Sequence, residues 1–174
     1  MILIGLGSNV EGPWGSPEDT VRTALERLNG IATKLVKASR LLSSKPVGPI
    51  EQDDYINAAA IIETSLQPEE LMQCLHDLEL QAERRRAVRW GPRTLDLDLL
   101  DYDGLVCHGG DETREHQKLL ILPHPEIAQR GFVLAPIADI APAWRHPQTS
   151  KTAAQMLAEL DESPDAYHFI EKSD

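Results

Sequence analysis

The sequence predicts an α+β fold in which helices pack on a mainly antiparallel sheet. Three observations predict it. The chain opens on Ile2-Leu3-Ile4-Gly5-Leu6-Gly7-Ser8, which reads as a buried strand. Two segments, beginning at Ser16-Pro17 and at Pro68-Glu69, repeat apolar residues at helical spacing. Residues 33–43, 55–65 and 95–107 read as further strands. The order strand, helix, strand, strand, helix, strand is that of a ferredoxin-like sandwich.

Each element has its own warrant. Gly5 and Gly7 leave room for close approach to the first strand. Ser16 caps the first helix, with Pro17 in its first turn and Glu18 and Asp19 at its positive end. Val21, Ala24, Leu25 and Leu28 form its stripe, and Gly30 ends it. Leu35, Leu41 and Leu42 are the apolar content of the second strand. Ser44-Lys45-Pro46-Val47-Gly48-Pro49 is a rigid, irregular loop whose backbone groups are partly free. In the third strand Tyr55 and Asn57 share a face by the two-residue period. Leu71, Leu75, Leu78 and Ala82 stripe the second helix. Phe132 to Ile140 forms a short helix, and Ser150-Lys151-Thr152 caps a last one running through Leu160. Residues 1–160 are expected to make one domain, and 161–174 an acidic tail expected to fray.

Composition narrows the function. An apolar content of 41% and a charged content of 26% are ordinary for a globular domain of 174 residues. A net charge of −11 opposes general nucleic-acid binding, which needs a basic face. No apolar run is long enough for a membrane span, and the start reads as a strand rather than a signal peptide, so a cytoplasmic enzyme is expected. Cys74 and Cys107 form no C-x-x-C pair and read as ordinary thiols. His108, His116, His146 and His168 are expected to be exposed and inert.

One stretch carries the chemistry. Arg84, Arg85, Arg86, Arg89 and Arg93 precede Thr94-Leu95-Asp96-Leu97-Asp98-Leu99. The alternation turns Leu95, Leu97 and Leu99 to a core. Asp96 and Asp98 then project together from the other face, roughly 6 to 7 Å apart. Two carboxylates beside five arginines suit a polyanion carrying hard cations. Mg²⁺ takes one or two carboxylates and fills its shell with water and phosphate, and arginine forks suit the remaining phosphate oxygens.

The run from Arg89 to Asp98, Arg-Trp-Gly-Pro-Arg-Thr-Leu-Asp-Leu-Asp, resembles the signature of the 6-hydroxymethyl-7,8-dihydropterin pyrophosphokinases of folate biosynthesis. Gly7-Ser8-Asn9, the Ser44–Gly48 loop, Tyr55 with Asn57, Pro123-His124 and Arg130-Gly131-Phe132 extend the resemblance to about residue 160. It implies transfer of pyrophosphate from ATP to the dihydropterin hydroxymethyl oxygen, with AMP leaving. It implies that Asp96 and Asp98 hold two Mg²⁺ ions. Arg84 and Arg93 would neutralise transition-state charge, Arg86, Arg89 and Arg130 would clamp phosphate, and Trp90 would close over the site. Glu79 and His124 would contact ATP. Ser44, Lys45 and Val47 would meet the pterin, which Tyr55 and Phe132 would flank while Asn57 reads its edge. The partners implied are ATP and the dihydropterin, with no nucleic acid or membrane and a monomeric chain.

Two rivals remain. A non-enzymatic ferredoxin-like module could bind RNA or a protein through residues 84–93, since this architecture hosts many functions. The acidic total charge and the scarcity of aromatics on the strands oppose it. A different Mg²⁺-nucleotide transferase could use the same cleft.

Overall fold

The computed structural model describes residues 1–30, 32–84, 91–108, 120–160 and 166–171. Among them, a six-stranded antiparallel sheet forms the centre. Its strand β1 (Ile2–Ser8) is flanked by β4 (Tyr55–Thr64), the middle strand, and β5 (Asp96–Tyr102), an edge strand. β2 (Thr33–Ala38) and β3 (Leu42–Ser44) share the far edge of β4, and β8 (Tyr167–Phe169) pairs with β3. β6 (Cys107–His108) and β7 (Ile121–Leu122) form a separate two-stranded ladder.

The apolar run of β1 has a clear reason: both faces of the sheet are covered. Ile2, Ile4 and Leu6 pack with α1 (Pro17–Arg27) and α2 (Pro68–Gln81). Leu3 packs instead with Ala59, Leu100 and the residues of α3 (Gly131–Ile140) and α4 (Ala153–Leu157). The helices therefore make two layers, one more than a two-layer sandwich has. Ser16 and Asp19 form the expected reciprocal cap of α1.

Four boundaries differ from the sequence reading. The strand expected over 33–43 breaks at Ser39, where Ala59 N–H donates to the Ser39 hydroxyl at 2.9 Å and Ser39 N–H to the Ala59 carbonyl at 2.9 Å. A side chain replaces a ladder bond there and splits the strand in two. The strand expected over 95–107 stops at Tyr102, because Asp103 (φ 51°) and Gly104 (φ 74°) turn the chain through left-handed backbone. The last helix, expected through Leu160, ends at Leu157. The tail expected to fray is strand from Tyr167 to Phe169, because β3 offers it an open edge. His146, expected to be exposed, is buried against Trp144 with ring centroids 6.0 Å apart. Cys74 and Cys107 are free and half-buried. Among the described residues, no helix is long and apolar enough to cross a membrane.

Candidate active site

The floor of the site is a register of the sheet. Across β5, β1 and β4, Asp96 faces Gly7 and Gly7 faces Asn57. In the next row of the same face, Asp98 faces Gly5 and Gly5 faces Ala59. Directly opposed residues hold their Cβ atoms about 4.5 to 5.5 Å apart. The glycines of β1 thus leave a trough with carboxylates on one bank and the Tyr55–Asn57 side chains on the other. Arg130, Phe132 and Val133, at the start of α3, complete the cavity above it, with Ser44, Lys45, Val47 and Arg93 at its sides.

Asp96 is the most engaged acid. Arg84 Nη1 lies 2.7 Å from its Oδ1, and Arg93 Nη1 donates to its Oδ2. Arg84 is brought there by the end of α2. Glu83 (φ 54°) turns left-handed after the helix, and Arg84 N–H donates back to the Glu79 carbonyl at 3.1 Å. The Arg84 side chain then pairs with the Glu79 carboxylate. Glu79 also accepts the Leu97 N–H at 2.8 Å and is buried, 3% exposed. Its carboxylate is paired with Arg84 and with the backbone of β5 in this structure.

Asp98 lines the cavity beside Asp96. Burial, and after it the charge of Asp96, pushes its carboxyl above the ordinary range, opposed by His124, Arg84 and Arg93. His124 Nε2 stands 3.9 Å from Asp98 Oδ1. His124 N–H donates to the Leu100 carbonyl at 2.8 Å, and its Nδ1 accepts from Glu126 N–H at 3.3 Å. A neutral imidazole therefore carries its proton on Nε2, facing Asp98. His124 sits beside the acids, following the cis Leu122–Pro123 bond.

The other bank suits a flat heterocycle. Asn57 Nδ2 donates to Ser44 Oγ at 2.9 Å, and its Oδ1 faces Gly7. The Tyr55 hydroxyl reaches the Gly91 carbonyl at 3.4 Å, and burial raises its pKa. Arg130 Cζ lies 5.8 Å from the centroid of Phe132. Lys45 Nζ pairs with Asp54 at 2.9 Å at the rim. The structure therefore brings together Ser44, Lys45, Val47, Tyr55, Asn57, Arg84, Arg93, Asp96, Asp98, His124, Arg130 and Phe132. Arg86, Arg89 and Trp90 lie outside the described residues.

Sequence reasoning named Asn9 within Gly7-Ser8-Asn9 but gave its side chain no role. Its side chain accepts Arg93 N–H at 2.8 Å and donates to Gln52 Oε1 at 2.9 Å and the Asp53 carbonyl at 3.1 Å. It thereby ties the arginine bank to the loop before Tyr55. Its signal was a polar residue directly after a buried strand, where an amide must find partners.

The donors fit Mg²⁺. Among the described residues, no group of three or more His, Cys, Asp or Glu is gathered for a metal. Asp96 and Asp98 offer hard oxygens on one face, and a cation between them would relieve the repulsion that raises Asp98.

Comparison with known proteins gives the family. The family model of 7,8-dihydro-6-hydroxymethylpterin-pyrophosphokinase matches residues 3–142. A 2-amino-4-hydroxy-6-hydroxymethyldihydropteridine pyrophosphokinase of Synechocystis sp. is 39% identical over 160 residues, covering 91% of this chain and 75% of that protein. A protein of the same name from Pseudomonas aeruginosa is 37% identical over 147 residues, covering 84% of this chain and 83% of that protein. A crystal structure of Plasmodium falciparum HPPK-DHPS, wild type with pteroate, superposes with a TM-score of 0.73 at 12% identity. The match covers 91% of this chain and 44% of that longer one, and it speaks to the fold alone. By the family match and the identity to these relatives, the chain belongs to the 7,8-dihydro-6-hydroxymethylpterin-pyrophosphokinase family.

Proposed function

We propose that the protein transfers pyrophosphate from ATP to the hydroxymethyl group of 6-hydroxymethyl-7,8-dihydropterin, releasing AMP, in folate biosynthesis. The observation that carries the reading is the single trough with carboxylates on one bank and the Tyr55–Asn57 pair on the other. The hydroxymethyl oxygen bonds to the β-phosphorus as its O–H bond breaks and the proton passes to solvent. The bond from that phosphorus to the α–β bridging oxygen breaks, and AMP departs.

Such transfers rest on positioning and charge stabilisation. Tyr55 and Phe132 enclose the pterin faces, and the Asn57 Oδ1, on the Gly7 side, accepts from its edge while Ser44 holds the amide N–H. The backbone of Ser44 to Val47 closes the rim. Arg84 and Arg93 leave Asp96 partly for the phosphates when ATP enters, and Arg130 meets the far oxygens. His124 directs its Nε2 proton to the phosphate side of Asp98. Arg86 and Arg89 are further clamps, with Trp90 closing the site. Asp96 and Asp98 would hold two Mg²⁺ ions, which when bound would supply neutralisation of phosphate charge and activation of the hydroxyl. The strand order β5-β1-β4-β2 supports a ferredoxin-like core, to which β8 adds an edge strand from beyond residue 160. We read the whole as one catalytic domain acting as a cytoplasmic monomer.

Calorimetry tests the reading. A non-hydrolysable ATP analogue with Mg²⁺, and then the dihydropterin, should each bind one site. Binding of single-stranded RNA with neither small molecule bound would favour the non-enzymatic module instead.

A further inference from the structure

We infer that the C-terminal strand β8 is a positioning element for the pterin end of the cavity. The inference rests on the pterin reading of that end. β8 lies beyond residue 142, where the family match stops.

β3 is only three residues long, yet it carries Ser44 and leads into Lys45 and Val47 on the cavity wall. On one side it pairs with β4, placing Ser44 opposite Tyr55 and Leu42 opposite Asn57. On the other side β8 pairs with the same residues, Leu42 with Phe169, Ser43 with His168 and Ser44 with Tyr167. Lys45 N–H donates to the Ala166 carbonyl at 3.0 Å, and Ile170 N–H to the Leu41 carbonyl at 2.8 Å. These two bonds frame the short strand at both ends. An antiparallel ladder alternates its bonded pairs, so His168 exchanges both bonds with Ser43 between them.

A three-residue edge strand is held weakly by one neighbour. Here the second neighbour fixes it from Leu41 to Lys45. That fixes Ser44 Oγ, which accepts the Asn57 amide at 2.9 Å and so sets how that amide faces the trough. β8 is itself pinned. The Arg40 guanidinium lies 4.1 Å from the Phe169 ring centroid, and it pairs with Asp139 of α3 at 2.8 Å. The chain is thus Asp139, Arg40, Phe169, β3, Ser44, Asn57, and it ends at the heterocycle. None of the β8 residues needs to touch substrate.

Two variants of the full chain test this. His168→Pro removes an N–H from the β3–β8 ladder, and Phe169→Ala removes the stacking partner of Arg40. Titrating each with the dihydropterin and, separately, with an ATP analogue and Mg²⁺ gives two dissociation constants. We expect the pterin constant to rise about threefold in Phe169→Ala, the effect of an exposed cation–π contact. His168→Pro should raise it further, and Phe169→Tyr should restore it. The nucleotide constant should stay within about twofold in all three, which also reports that the fold persists. A pterin constant unchanged in both variants would overturn the inference, while binding in the parent leaves the pterin reading standing. Equal weakening of both ligands would overturn it too, since that is general destabilisation. Failure of the parent itself to bind the dihydropterin would remove the pterin reading and the inference together.

Discussion

Gly7 and Asp96 face each other across β1 and β5, and the same glycine faces Asn57 across β4. A Cβ at Gly7 would meet Asn57 Oδ1 at 3.4 Å and the Tyr55 ring at 3.9 Å. Both are ordinary contact distances, so Gly7→Ala should fold with a stability change under about 1 kcal/mol. The added methyl would stand in the trough. Overpacking of about 1 to 3 kcal/mol would then fall on the bound complex alone. Pterin affinity, measured by calorimetry, should drop about tenfold while the melting temperature barely moves.

Glu79 separates two roles by measurement. As a nucleotide contact, its loss would raise the ATP dissociation constant and leave stability alone. As the buried anchor seen here, its loss strips Arg84 of a partner and leaves the Leu97 N–H unmet. Glu79→Ala should therefore cost about 3 kcal/mol in denaturant unfolding. Leu80→Ala, next in sequence and 66% exposed, should cost under about 0.5 kcal/mol.

The sequence reached the site more fully than the fold around it. The period of two placed Asp96 with Asp98 and Tyr55 with Asn57, because strand alternation is a local property. Local pattern could not show that Ser39 would replace a ladder bond, since its partner, Ala59, is distant in sequence. Nor could it place β8, whose three residues are too few to show a period without the open edge of β3. Helical position put Glu79 near the arginines, but the turn at Glu83, which decides which way Arg84 points, was not legible in the local pattern.

His146 gives a prediction in pH. Burial lowers its pKa below the ordinary histidine value, and the nearby Asp101 charge partly opposes this. The Asp101 carboxylate is itself held by Trp144 Nε1 at 2.8 Å. A histidine depressed in the folded state stays neutral while the unfolded chain takes a proton. Its contribution is complete above the unfolded pKa and is lost as pH falls through that value toward the folded one. Thermal midpoints should fall between about pH 7 and about pH 5, and less steeply in His146→Phe. Parallel curves for the two proteins would count against it.

Asp98 gives the opposite sign. Its carboxyl is raised, so its charge at neutral pH opposes folding rather than supporting it. Asp98→Asn should leave the melting temperature unchanged or higher while turnover is lost. A melting temperature clearly below that of the parent would show that the carboxylate supports the fold.

The most direct measurement is product analysis of one reaction. The protein is incubated with ATP, Mg²⁺ and 6-hydroxymethyl-7,8-dihydropterin, and the nucleotides are separated by chromatography. The account predicts AMP formed in equal amount to a pterin diphosphate, and neither product from Asp98→Asn. ADP in place of AMP, or AMP formed at the parent rate by Asp98→Asn, would contradict it.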